Sequence, residues 1–264
     1  MSKLEGQSVI VTAGGSGIGL ACAGAFAADG ANVLIMGRTE ERLDQALESL
    51  SRHEAAGKLQ KFVGDAADEA EVIKAVEQAA VDGRLDIAVC NAGTGWVGPM
   101  LDMPSEDWDR VMKLNFDGAF YLLKHAGNKM KDSGGGAYCY ISSIAGVRTH
   151  RFFGPYGPAK AGADMLVRNA ADELGAMNIR VNSVCPGLVE TELASGLLSS
   201  DAIYQDYLDC MPIRRHGQPE DIAKAVRFLC GPESGWITGV NLSVDGGHHL
   251  RRGPNIDVMF TGQQ

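Results

Sequence analysis

Short apolar runs alternate along this chain with longer amphipathic ones. Seven runs read as strands: Ser8–Thr12, Asn32–Met36, Lys61–Gly64, Leu85–Cys90, Ala137–Ser142, Arg180–Cys185 and Val240–Val244. They are short, rich in β-branched residues and apolar almost without interruption, as strands covered on both faces should be. Segments near 18–29, 40–53, 69–82, 105–131, 158–176 and 219–230 read as helices. In the second of these, Leu43, Ala46, Leu47 and Leu50 fall on one helical face. The last opens with Pro219 in its first turn and the acids Glu220 and Asp221 at its N-terminus. Alternation of this kind predicts a parallel sheet flanked by helices, a doubly wound α/β fold. No repeat, low-complexity block or linker divides the chain, so a single domain is expected.

The first strand runs into Ala13-Gly14-Gly15-Ser16-Gly17-Ile18-Gly19, and a helix of small residues follows. A strand, a tight glycine turn and a helix N-terminus together suit a dinucleotide's phosphates, because unpaired N–H groups point at the anion. Gly17 would let the backbone approach the pyrophosphate, and Gly19 would let the helix pack closely on the sheet. The spacing is not GxGxxG, since the third glycine of that pattern falls on Leu20, and a plain turn is the competing reading. About twenty residues further on, NAD-binding folds place an acid on the ribose. Gly37 occupies that slot here and Arg38 follows it. A guanidinium there suits the extra phosphate of NADP, so NADP(H) is favoured over NAD(H), against the alternative of a solvated arginine. Glu40 and Glu41 lie too far into the next helix to serve the ribose.

Tyr156 and Lys160 stand four residues apart, which puts a phenol and an ammonium on one face if a helix begins at 156. Pro158 fits only in a first turn, where N–H groups are unpaired in any case. A phenol, with a reference pKa near 10, is a poor base at neutral pH. The expectation is that the ammonium and an oxidised nicotinamide together lower that value. Ser143 ends another strand, where its hydroxyl could hold a substrate oxygen beside Tyr156 or could simply cap a turn.

Bulk properties narrow the partners. A chain of 264 residues with net charge -9 lacks the concentrated basic surface that nucleic acid requires. No apolar stretch approaches the ~20 residues of a membrane helix, and Met1 to Glu5 carries no secretory signal. The cysteines Cys22, Cys90, Cys139, Cys185, Cys210 and Cys230 are scattered, with no CxxC and no metal-ligand pattern. They read as small buried hydrophobes of a cytoplasmic protein.

Taken together these motifs resemble the short-chain dehydrogenase/reductase family, a Rossmann-type fold, over residues 1–247. The match runs in order through Thr12 to Gly19, Asp65, Asn91-Ala92-Gly93, Asn115, Ser143, Tyr156, Lys160, and Pro186-Gly187 with Thr191. The resemblance implies that Tyr156 is the acid/base and that Lys160 holds the nicotinamide ribose and lowers the phenol pKa. It implies that Ser143 orients the substrate oxygen and that Asn115 anchors a proton-relaying water, a role compatible with Asn115 also kinking its helix. The loop Thr12, Gly14, Gly15, Ser16, Gly17, Ile18 and Gly19 would bind cofactor. Asp65 and Ala66 would contact adenine, Asn91, Ala92 and Gly93 would line the cofactor, and Pro186, Gly187, Val189 and Thr191 would hold the carboxamide. Two residues depart from the pattern: Ala13 replaces the first loop glycine, and Cys90 replaces an asparagine. Ser16 stands where many NADP-preferring members carry a second basic residue, so the cofactor assignment rests on Arg38.

The nearest activity by pattern is 3-oxoacyl reduction, although Asp172 stands where carrier-dependent members are usually basic, which leaves a 3-oxoacyl-CoA ester, a steroid or a small ketone as the expected substrate. An enoyl reductase wants a longer Tyr–Lys spacing. The segment from Gly187 to Met211 is expected to form a mobile helix-loop over the substrate. Trp96, Met100, Val147, Phe152, Phe153, Leu188, Leu193 and Leu197 are candidate walls for a hydrophobic small molecule, and His150 and Arg151 could meet an anionic group or lie on the surface. Family members are commonly homotetramers. The tail 248–264, with an apolar run from Ile256 to Phe260, would then cross a subunit interface or fray. A catalytically silent NADP-binding sensor or scaffold is the alternative to the enzyme.

Overall fold

The computed structural model describes residues 4–253 and residue 256. Seven parallel strands, β1 (Ser8–Thr12), β2 (Asn32–Gly37), β3 (Leu59–Val63), β4 (Ile87–Cys90), β5 (Gly136–Ile141), β6 (Ile179–Pro186) and β7 (Asn241–Val244), form one sheet in the order β3-β2-β1-β4-β5-β6-β7. Helices α1 (Gly17–Ala28), α2 (Glu40–Leu50), α3 (Glu69–Ala79), α4 (Ser105–Met112), α5 (Gly118–Asp132), α6 (Tyr156–Leu174), α7 (Ser195–Leu198), α8 (Asp201–Cys210) and α9 (Pro219–Cys230) follow in chain order. One core joins Val9, Val11 and Ile35 to Phe26 of α1 and Val226 of α9 on one face of the sheet. The other joins Ile10, Leu34 and Ala88 to Val76 of α3, Leu122 of α5 and Val167 of α6. Successive residues of β1 thus feed opposite cores, which is why its sequence is apolar throughout.

The expected strand Leu85–Cys90 loses its first two residues for a clear reason. The Asp86 carboxylate accepts a 2.8 Å hydrogen bond from the Ser8 amide and one of 2.6 Å from Arg84 Nε, so this segment caps the entry to β1. The helix expected over 105–131 is interrupted by a five-residue π turn at Lys113–Asp117. Asn115 causes it: its Nδ2 donates to the Val111 carbonyl at 2.9 Å and to the Thr94 carbonyl at 2.8 Å, competing with the helical ladder.

Strand order reverses between β1 and β4, which opens a crevice at the carboxyl ends of the strands. The loops after β1, β4, β5 and β6 meet there. The segment after β6 folds into α7 and α8, whose apolar side (Ile203, Tyr207, Met211) packs with Leu188 and Ile256. The described part of the tail docks on α8 of its own chain: Arg252 Nη1 donates to Asp206 at 2.8 Å, and Arg251 donates to the Asp209 carbonyl at 3.1 Å. Of the run from Ile256 to Phe260, only Ile256 lies within the described residues.

Candidate active site

The crevice encloses a cavity of about 510 Å³. Its floor comes from the β1 loop. Thr12 is fully buried, and its Oγ1 accepts from the Asn91 and Ala92 amides at 3.0 and 3.1 Å, tying β1 to β4. Ala13 adopts a left-handed φ of 49°, the strain expected where a methyl replaces a glycine hydrogen. Gly17 also has positive φ, at 50°, and opens α1. A Cβ on Gly19 would lie 2.3 Å from the Ala13 carbonyl and 2.5 Å from Asn91 Nδ2, so only hydrogen fits between helix and loop. The first turn of α1 has no acid and no side-chain cap, which leaves its N–H groups to a ligand. The residues present therefore fit a nicotinamide dinucleotide, with its phosphates at this turn.

Of the residues expected on the cofactor, Ser16, Gly17, Ile18, Asn91, Gly93, Pro186, Gly187, Val189 and Thr191 line the cavity with Ser143, Tyr156 and Lys160. Gly14 packs against Ile35, Gly15 faces Leu43, and Ala92 is buried. The Asp65 side chain accepts from the Ala67 amide at 2.9 Å, and Ala66 is buried against Gly118. Arg38 is exposed at the end of β2 and, among the described residues, pairs with no carboxylate. Asn115 is buried. Besides its two bonds to carbonyls, its own carbonyl accepts the Tyr140 hydroxyl at 2.9 Å.

The catalytic candidates converge at one end of the cavity. Tyr156 begins α6, so Lys160 follows one turn later on the same side, and Ser143 stands at the end of β5. The Lys160 ammonium sits 5.6 Å from the Tyr156 ring centroid and 4.7 Å from that of Tyr140, and it donates to the Ile141 carbonyl at 2.8 Å. Burial lowers its pKa to about 8. Burial raises the Tyr156 pKa, and the influence opposing it is a hydrogen bond from Ser143.

Several contributors were not foreseen. Asp164, one turn beyond Lys160, is buried and accepts from Ser142 Oγ and Asn241 Nδ2, each at 2.7 Å. Burial raises its pKa. A carboxylate on the apolar face formed by Ala159, Ala163 and Val167 was the available signal. Tyr207 of α8 reaches the cavity, and Arg42 of α2 forms a bidentate ion pair with Glu192 at 2.6 and 2.9 Å. Of the expected walls, Trp96, Phe153, Leu188, Leu193 and Leu197 line the cavity, whereas Met100 and Val147 lie exposed outside it and Phe152 packs beneath α8. His150 lines the cavity too.

Residues 12–249 match the family described as enoyl-(acyl carrier protein) reductase. The 7alpha-hydroxysteroid dehydrogenase of Escherichia coli (strain K12) is 36% identical over 247 residues, spanning 93% of this chain and 95% of that protein. A short-chain type dehydrogenase/reductase from Mycobacterium ulcerans superposes with a TM-score of 0.96 at 40% identity, covering 98% of this chain and 96% of that one. A 7 alpha-hydroxysteroid dehydrogenase solved with NADH and 7-oxo glycochenodeoxycholic acid gives 0.86 at 35% identity, over 93% and 95% of the two chains. The protein belongs to the short-chain dehydrogenase/reductase family. It is an oxidoreductase that acts on CH–OH or C=O groups with NAD(P).

Proposed function

We propose that this enzyme interconverts a ketone and a secondary alcohol with NADP(H), on a substrate with an apolar body. The observation that carries the reading is the meeting of Ser143, Tyr156 and Lys160 at the catalytic end of a cavity walled by Trp96, Phe153, Leu188 and Leu197. A nicotinamide cofactor bound in the crevice supplies or accepts the hydride. Ser143 donates a hydrogen bond to the substrate oxygen and holds it against Tyr156. Tyr156 gives its proton to that oxygen during reduction and takes it back during oxidation. The Lys160 ammonium, fixed by the Ile141 carbonyl and the Tyr140 ring, provides positive charge beside the phenol. The apolar walls exclude water from the reacting atoms.

Preference for NADP(H) is supported by Arg38, exposed where an anionic group on the ribose would lie, and by Gly37 in place of an acid. The dehydrogenase solved with NADH shows that the fold also serves the other cofactor. A homotetramer is supported by exposed apolar side chains on helices that would face a second copy: Trp108 of α4, Phe120 of α5, Met165 of α6 and Phe228 of α9. The tail's part in that assembly belongs to the same proposal. The six free, buried cysteines suit a reducing compartment such as the cytoplasm. No helix among the described residues is long and apolar enough to cross a membrane.

The test is NADPH oxidation, followed at the nicotinamide band, against a panel of ketones and 3-oxoacyl-CoA esters. Turnover of one ketone class is expected. Tight NADPH binding without turnover across a broad panel would move the protein to a sensor role.

A further inference from the structure

The cavity has a second polar end. Tyr156, Phe153 and His150 stand three residues apart along the loop into α6, and their rings form one wall. Phe153 lies 6.4 Å from the Tyr156 ring and 5.6 Å from that of His150. His150 is thus separated from the reacting centre by one aromatic ring, and it lines the cavity. Behind it His248, from the turn after β7, is 0% exposed. The His248 ring sits edge-on to Tyr207 at 5.7 Å and to His150 at 6.1 Å. Neither of its nitrogens has a hydrogen-bond partner among the described residues. His150 Nδ1 faces the Arg148 carbonyl at 3.4 Å, so it carries the ring proton and leaves Nε2 as an acceptor.

The chemistry of the surroundings selects the ligand. Lys160 is the sole lysine or arginine on the cavity wall among the described residues, and it stands at the catalytic end. Arg148 donates to the His248 carbonyl at 2.6 Å and Arg151, next to His150, lies over the Phe152 ring at 5.2 Å; neither lines the cavity. Burial holds the His150 pKa down to about 4, and that of His248 is lowered by burial too, so both rings are neutral at physiological pH. With its Nδ1–H turned to the Arg148 carbonyl, the neutral His150 ring offers Nε2 as an acceptor, which suits a hydroxyl donor. A lone-pair acceptor gives a carboxylate nothing to bind, and no cation lines the wall at this end among the described residues.

We infer that His150, backed by His248, is a second recognition point that accepts a hydrogen bond from an uncharged hydroxyl group of the substrate, one apolar ring's length from the carbonyl that reacts at Tyr156. The inference rests on the ketone-reductase reading of the same cavity. It narrows the substrate class to apolar ketones carrying a distal uncharged hydroxyl, and it assigns the wall of Phe153 to the body between them.

The probes are 4-phenylcyclohexanone, its 4-(4-hydroxyphenyl) counterpart and the corresponding 4-carboxyphenyl ketone. Binding of each to the NADPH complex is measured by calorimetry, separately from turnover. The hydroxylated ketone is expected to bind about tenfold more tightly than the parent. His150→Phe should remove that advantage and leave parent binding within about twofold. His150→Gln, which keeps a donor and an acceptor, should restore part of it. A variant that keeps the full preference, a wild type that binds both ketones equally or neither, or tighter binding of the carboxylate would each overturn the inference. A protein that shows the binding difference yet oxidises no NADPH with any of the three would instead count against the reductase reading.

Discussion

Lys160 donates its 2.8 Å hydrogen bond to the Ile141 carbonyl while lying over the Tyr140 ring, so its ammonium is held by the sheet and not by the phenol beside it. The residue is 3% exposed, and burial lowers its pKa from 10.5 to about 8. Below pH 8 the folded protein carries a buried charge that opposes folding. As pH rises from 8 to 10.5 the folded form has already released its proton while the unfolded chain has not, and the penalty fades. Lys160→Met should therefore abolish turnover yet stabilise the protein at pH 7, by about 1–2 kcal/mol after allowing for the lost hydrogen bond. Thermal unfolding of both proteins between pH 7 and 10 checks this. A variant less stable at pH 7 would contradict it.

Ser143 supplies the hydrogen bond that counters the effect of burial on Tyr156. Removing it should let the phenol pKa climb. Ser143→Ala is expected to lower kcat by about 10²–10³-fold and to move the rising limb of alcohol oxidation to higher pH, since that direction needs the phenolate. Tyr156→Phe should lower turnover by about 10³-fold or more with cofactor binding unchanged by fluorescence titration. An unshifted limb in the first variant would return the acidifying role to another group.

Cofactor preference is assigned to one exposed side chain. Arg38→Asp should reverse the ratio of kcat/KM for NADPH over NADH by about 100-fold or more, because a phosphate partner becomes a ribose acceptor and a repulsive charge. Paired kinetics with the two cofactors decide it, and an unchanged ratio would separate Arg38 from the phosphate.

Ala13 holds a left-handed backbone at φ 49°. Glycine at this position relieves about 1–2 kcal/mol of strain and returns about 0.4–1 kcal/mol as unfolded-state entropy. Ala13→Gly should raise Tm by about 1–3 °C, measured by calorimetry. A fall in Tm would mean that the methyl group packs usefully.

The strand–helix alternation was legible because each strand buries both faces, and Tyr156, Lys160 and Ser143 were legible because their spacing is local or falls at strand ends. What stayed hidden depends on chain segments far apart in sequence. Nothing near Asn115 announces that Thr94 and Val111 will draw its amide out of the helical ladder. The pairing of Arg42 with Glu192 spans 150 residues and joins two exposed side chains that look solvated when read alone. Helical spacing reports that Lys160 lies near Tyr156, while the hydrogen bond to Ile141 and the burial of the phenol are tertiary facts. The contacts of Arg251 and Arg252 with α8 join segments more than forty residues apart, so the sequence could not announce them.

The Arg42–Glu192 clasp connects the helix that follows Arg38 to the segment that roofs the substrate. On the proposed reading of Arg38, the selector of the cofactor and one wall of the reaction chamber are thereby tied together. Retuning one for a different dinucleotide would be felt by the other, so directed evolution of coenzyme choice in this enzyme should accumulate compensating changes on the opposite bank of the crevice.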